Sequence, residues 1–215
     1  MAPKAVLFDL DGTLLDTSED IGDSVNRVLA RHGYPTHSID AYRTFIGDGV
    51  EMLILRALPS HMRDDDRIHL CMKEYREDYS HNWDKKTKPY DGVPEMLDIL
   101  VTRGLPMAIL SNKPDESARQ CAAQLLSDWT FDLIVGASAT LPLKPDPAGA
   151  LLVARTLGIS PADFLYVGDT AVDMRTALAA GMFAVGVLWG FRPGELEDNG
   201  AQALIERPSD IVNLL

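Results

Sequence analysis

Cysteine is nearly absent from this sequence. The chain holds two, Cys71 and Cys121, too far apart for the close spacing of a zinc site and too few for a disulfide framework. They read as buried or bystander thiols. Basic residues are also scarce: 20 Lys and Arg stand against 32 Asp and Glu, a net charge of −12. General nucleic-acid binding is therefore excluded, because affinity for a phosphate backbone comes mainly from clustered Lys and Arg. Long apolar runs are missing as well, and nothing approaches the roughly 20 residues that span a bilayer, so no membrane role is expected. Residues 1–4 lead into a short apolar segment that meets an acidic pair, which is wrong for a secretory leader, and the expected location is the cytoplasm. The five histidines, His32, His37, His61, His69 and His81, show no paired metal spacing. Gly47-Asp48-Gly49 lacks the third glycine of a dinucleotide fingerprint and reads as a tight turn. The chain carries no internal repeat or low-complexity tract.

What is present is a regular alternation. The apolar, partly β-branched residues 4–8 stop abruptly at Asp9-Leu10-Asp11-Gly12-Thr13, the pattern of a buried strand ending in a loop. Similar runs at 106–110, 131–135, 164–167 and 183–187 each meet a polar or glycine-containing turn. Between them, helical patterns over 92–103, 145–157 and 171–180 stop at Gly104, Gly158 and Gly181, the expected C-terminal position for glycine. Strand–helix alternation predicts an α/β fold: a Rossmann-like parallel sheet with helices on both faces and a site at the carboxyl ends of the strands. Residues 16–85 break the rhythm with helical patterns alone, such as Ile21, Val25, Val28 and Leu29 on one face. They predict a small inserted α-helical cap, leaving 1–15 and 86–215 as the catalytic core. The Lys-rich return segment 83–90, with Pro89, reads as a surface hinge.

Chemistry concentrates at the strand ends. Asp9 and Asp11 can aim two carboxylates into one cavity while Leu10 turns into the core; an acidic turn is the alternative. Asp169 and Asp173 follow the 164–167 run in the same way, with helix capping as the competing role. Carboxylates gathered at adjacent strand ends repel, and a hard cation with oxygen ligands is the simplest way to hold them. Ser111-Asn112-Lys113 follows the 106–110 run, where a helix is expected to begin and bind an anion or where Ser111 or Asn112 only caps that helix. Lys144, alone, reads as a surface lysine.

Together, Phe8-Asp9-Leu10-Asp11-Gly12-Thr13-Leu14, Ser111-Asn112, Lys144-Pro145-Asp146 and Gly168-Asp169-Thr170-Ala171-Val172-Asp173 resemble the four motifs of the haloacid dehalogenase-like hydrolases. Tyr42-Arg43-Thr44-Phe45-Ile46-Gly47-Asp48-Gly49, with Ser111-Asn112-Lys113-Pro114 and Lys144-Pro145-Asp146-Pro147, is most similar to the phosphoglycolate phosphatases among them. The resemblance implies an enzyme that hydrolyses a small phosphorylated metabolite through an aspartyl-phosphate on Asp9, with Asp11 as acid and base. It implies Mg2+ held by Asp9, Asp11 through its backbone carbonyl, Asp169 and Asp173. Gly12, Thr13, Ser111, Asn112 and Lys144 would bind the phosphoryl group, and Arg43 and Gly47 would face the substrate from the cap. A β-phosphoglucomutase-like phosphomutase, a pyrophosphatase or nucleotidase, a dehalogenase and a non-catalytic phosphate-binding protein are the rival readings.

Overall fold

Strand β1 (Ala5–Phe8) is buried at every position, as a strand covered on both faces must be. In the computed structural model, which describes residues 2–215, β1 lies near the middle of a six-stranded parallel sheet. The other strands are β4 (Met107–Pro114), β5 (Leu133–Ala137), β6 (Phe164–Gly168), β7 (Phe183–Val187) and β8 (Ala203–Ile205), and the order is β5-β4-β1-β6-β7-β8. Phe8 is level with Ile109 on one neighbour and with Val167 on the other. The carboxyl ends of β1 and β6 therefore stop together while β4 runs further, and the residues just past this level share one edge of the sheet.

Alternate residues of β1 serve two cores. Val6 and Phe8 face one buried cluster, whereas Ala5 and Leu7 face the other, the period-2 arrangement of a strand sandwiched between helix layers. Helices α5 (Val93–Thr102), α6 (Asp115–Leu125), α7 (Ala148–Leu157) and α8 (Ala171–Ala180) make the connections. Gly158 and Gly181 close α7 and α8 in the left-handed conformation, at φ 68° and 73°. Gly104 follows the C-cap Arg103 of α5. Strand β8, at the edge, has no counterpart in the sequence pattern, because three residues are too few to show a period.

Between two short antiparallel strands, β2 (Leu15–Asp16) and β3 (Lys88–Pro89), lie four helices: α1 (Ser18–Arg31), α2 (Ile39–Phe45), α3 (Val50–Ala57) and α4 (Asp65–Asn82). The return segment is not the loose surface hinge its lysines suggest. Trp83 and Thr87 are buried, and Asp20 Oδ2 on α1 accepts from Lys86 N at 2.9 Å and from Thr87 N and Oγ1 at 2.8 Å each. One buried indole and one carboxylate outweigh the composition of the stretch.

Helices α1 and α4 are tied by charge. Asp78 receives Arg27 Nη2 at 2.6 Å and Arg31 Nη2 at 2.9 Å. Burial pushes its carboxyl up, but the Arg27 hydrogen bonds and charge outweigh that and hold it below the usual range. A depressed carboxylate stabilises the fold above its unfolded pKa of about 3.9, and that contribution is lost as pH falls through the lower folded value. Both arginines are substantially exposed, so Asp78→Asn is expected to cost about 1–3 kcal/mol near neutrality. In urea titrations the gap from the wild type should narrow below pH 4; equal midpoints at pH 7 would remove the tie from the account.

The histidines pack locally, as in His32 Nε2 to Glu74 at 3.0 Å and His37 Nε2 to the Ala57 carbonyl at 2.8 Å. Cys71 and Cys121 are free and buried. Among the described residues, no helix is long and apolar enough to cross a membrane.

Candidate active site

Past β1 the chain turns at once. Asp9 N still donates to Val167 O at 2.9 Å, and Leu10 O then accepts from Leu14 N and Leu15 N at 3.0 Å each. Gly12 permits this turn in two ways. Its φ is +88°, and any side chain there would collide with the Asp169 carboxylate and the Phe191 ring, so the loop can lie against the end of β6 only with glycine at this place.

Asp169, directly after β6, is fully buried; Thr13 Oγ1 donates to its Oδ1 at 3.2 Å and Phe191 N to its Oδ2 at 2.8 Å. Asp173, in the first turn of α8, accepts from Thr170 N at 3.1 Å and Thr170 Oγ1 at 2.8 Å through Oδ2, and from Lys144 Nζ at 2.7 Å through Oδ1. Asp173 thus caps α8 and sits in the acidic cluster at once, whereas the donors to Asp169 come from Thr13 and Phe191. One oxygen each from Asp9, Asp169 and Asp173 lies within 4.8 Å of the others.

Lys144 is no surface residue. It is buried, with Nζ 2.9 Å from Asp9 Oδ1, yet that oxygen has no aligned hydrogen bond. Burial pushes the Asp9 carboxyl up to about 7, with Lys144 pulling against it and Asp173 reinforcing it. Burial, then the repulsion of Asp173 and Asp9, also raises Asp169 well above the ordinary carboxylate range. Three buried carboxylates thus face a single ammonium, and one oxygen meets it without an aligned hydrogen bond. This donor set of hard oxygens, short of positive charge, fits a divalent cation such as Mg2+.

Other expected residues sit differently. The Asp11 carboxylate lies outside the trio and pairs with Lys113 Nζ at 3.1 and 3.3 Å. Asn112 and Ser111 do not begin a helix: β4 runs on to Pro114, and α6 starts at Asp115 with no side-chain cap. The Asn112 side chain is a brace, donating to Gly47 O at 3.0 Å and Lys144 O at 3.1 Å and accepting from Lys144 N at 2.8 Å. Ser111 Oγ accepts from Lys113 N at 3.2 Å. A small cavity of about 40 Å³ is lined by Asp9, Asp11, Ser111 and Asn112 on the sheet side and by Gly47 among residues of the inserted helical segment. Arg43 is not in its wall; it lies on α2 near Asp16 and Asp40, at 3.8 and 3.6 Å.

The sequence model of the haloacid dehalogenase-like hydrolase family matches residues 6–187. The chain belongs to the haloacid dehalogenase-like hydrolases. Among its relatives in this family, a phosphoglycolate phosphatase of Pseudomonas putida is 34% identical, covering 94% of this chain and 76% of that protein. One of Aquifex aeolicus is 32% identical and covers 99% and 96%. In fold, the chain resembles the solved structure of a haloacid dehalogenase-like family protein from Streptococcus pneumoniae with a TM-score of 0.88, at 23% identity and covering 98% and 97% of the two chains.

Within this haloacid dehalogenase-like hydrolase, two basic residues have partners that the sequence left unassigned. Lys113 is buried against Asp11, and its Nζ donates to Tyr79 OH on α4 at 2.8 Å. A lysine continuing a buried strand was the available signal, since buried lysines are rare unless paired. Arg192, after β7, meets Asp48 Oδ2 at 3.3 Å, and the same oxygen takes Arg56 Nη1 at 2.6 Å. Nothing local in the sequence indicates that long-range bridge.

Proposed function

We propose that the chain is a magnesium-dependent phosphomonoester hydrolase of the phosphoglycolate phosphatase type, working through an aspartyl-phosphate on Asp9. The observation that carries this reading is the buried trio of Asp9, Asp169 and Asp173, with Lys144 as its one ammonium and Asp9 Oδ1 lacking an aligned hydrogen bond. Asp9, the Asp11 backbone carbonyl, Asp169 and Asp173 would hold Mg2+, which when bound neutralises charge between carboxylate and phosphate.

An Asp9 oxygen attacks phosphorus in line; the new O–P bond forms as the bond to the leaving alcohol breaks. Asp11 gives that alkoxide its proton, then takes one from the water that attacks the phospho-aspartate, so inorganic phosphate leaves and Asp9 is restored. Ser111, Lys144 and the backbone amides of Gly12 and Asn112 hold the phosphoryl oxygens as charge spreads over them; Thr13 fixes Asp169. Helices α1–α4, within 16–85, serve as a cap that excludes bulk water from the core of 1–15 and 86–215. The partner is a small phosphorylated metabolite. A cytoplasmic location belongs to the same reading, supported by two unpaired cysteines.

The test is release of inorganic phosphate from an aryl phosphate and from 2-phosphoglycolate in the presence of magnesium, without isomer formation. Excess chelator is expected to lower the rate at least about 100-fold, in keeping with loss of the charge that stabilises phosphoryl transfer, and added magnesium should restore it. Full activity in chelator would take the cation out of the mechanism; isomerised product would move the protein to the mutases.

A further inference from the structure

The cavity over Asp9 has an uneven chemical lining. Toward the inserted helices its wall includes Ile21, Ile46, Val50 and Leu53, which supply no side-chain hydrogen-bonding group, and Tyr75, whose phenol is the one polar side-chain group on that side. Among the described residues the wall contains one cationic side chain, Lys113. A polyol body seated there would leave hydroxyls without partners, and burying an unpaired hydroxyl opposes binding.

Lys113 stands in the cavity wall beside Asp11. Its Nζ lies 3.1 and 3.3 Å from the two oxygens of Asp11, the residue assigned to protonate that alcohol, and 2.8 Å from Tyr79 OH. The 3.3 Å contact is the longest of the three and the one an incoming oxygen can replace. Tyr79 is itself buried, and among the described residues no acceptor receives the hydrogen of its phenol. The ammonium and the phenol come from different elements, β4 and α4, so the point where they meet depends on the helices being seated on the sheet. Lys144 is occupied with Asp9 and Asp173 at the phosphoryl end.

We infer that Lys113 is the specificity-determining residue of this site: its ammonium receives an anionic group, a carboxylate, on the leaving alcohol, and so favours short carboxylated phosphomonoesters over neutral and polyol ones. The inference rests on the phosphatase reading for the location of the leaving group. A neutral alcohol of the same size gains no charge-assisted hydrogen bond from Lys113, whereas a carboxylate does.

The test compares 2-phosphoglycolate with ethyl phosphate, close in size but uncharged at the far end, and with glucose 1-phosphate as the polyol probe. kcat/KM is measured for the wild type and for Lys113→Met, and binding of the same three esters is measured by calorimetry on Asp9→Asn protein, with and without the second substitution. All three esters use the same Asp11, so any damage to that carboxyl cancels in the ratios. The wild type is expected to prefer 2-phosphoglycolate over ethyl phosphate on the order of 30- to 100-fold, the worth of a hydrogen bond to a charged group. Lys113→Met should bring the ratio within about threefold, and Lys113→Arg should keep part of it, since it retains the charge. If the Met variant does not fold, Lys113→Gln carries the same reading. A wild type that ignores the carboxylate or prefers the polyol, or a preference that survives loss of Lys113, would overturn the inference. Failure to release phosphate from any ester, with the binding preference and its Lys113 dependence intact, would overturn the phosphatase reading and uphold the assignment of Lys113.

Discussion

Asp9→Asn is expected to abolish turnover, with a loss of at least about 10⁴-fold in kcat, the scale seen when a nucleophile is removed and only binding and electrostatics remain. The amide preserves size but has no oxygen able to attack phosphorus. The fold should not suffer, since Asp9 is one of three buried carboxylates around a single ammonium and is raised to about 7, mainly by burial. Replacing it with a neutral group removes repulsion from Asp169 and Asp173. In the absence of magnesium, the variant should therefore unfold at a urea concentration equal to or above that of the wild type. Residual activity above about 1%, well over the loss expected for a removed nucleophile, would show that Asp9 is not the attacking group.

Lys144→Met is expected to damage both stability and rate. The substitution keeps an unbranched chain in a buried position but strips the only ammonium from Asp9, 2.9 Å away, and Asp173, 2.7 Å away. Removing one partner of a buried ion pair typically costs about 3–5 kcal/mol, and removing a charge that meets the phosphoryl oxygens costs about 10²–10³-fold in kcat. The two losses separate by titration with magnesium. A cation held by the remaining carboxylates stabilises the folded state by mass action, so the stability deficit should shrink as magnesium rises while the kcat deficit persists. Urea midpoints unaffected by the substitution without magnesium would mean that Lys144 does not balance the trio.

Much of this site could be read before any coordinates. Residues 5–8 and 164–167 are uninterrupted apolar runs, the first ending directly at Asp9 and the second one glycine before Asp169, and strands of that kind belong in the middle of a parallel sheet. Their shared register then makes Asp9 and Asp169 neighbours. Legibility fails where distant partners decide. The 111–114 stretch looks like the beginning of a helix because it is polar, yet it continues β4 to Pro114, which pairs with Ala137 beyond an irregularity in the ladder. The Asn112 side chain spans Gly47 and Lys144, contacts that no local pattern encodes. Arg43, picked out as a charged residue in a distinctive segment, stands apart from the cavity, whereas Lys113 lines it. Isolated lysines give little periodic signal, and only burial distinguishes them.

The Asp20 clasp has a consequence for exchanging parts between relatives. Because one carboxylate oxygen near the start of α1 gathers three donors from Lys86 and Thr87, the outgoing and returning strands of chain leave the sheet as a matched pair. A chimaera that swaps the helical segment but cuts between these positions would separate an acceptor from its donors at the joint. Junctions drawn outside both, before residue 20 and after residue 87, would transplant the segment with its own anchor.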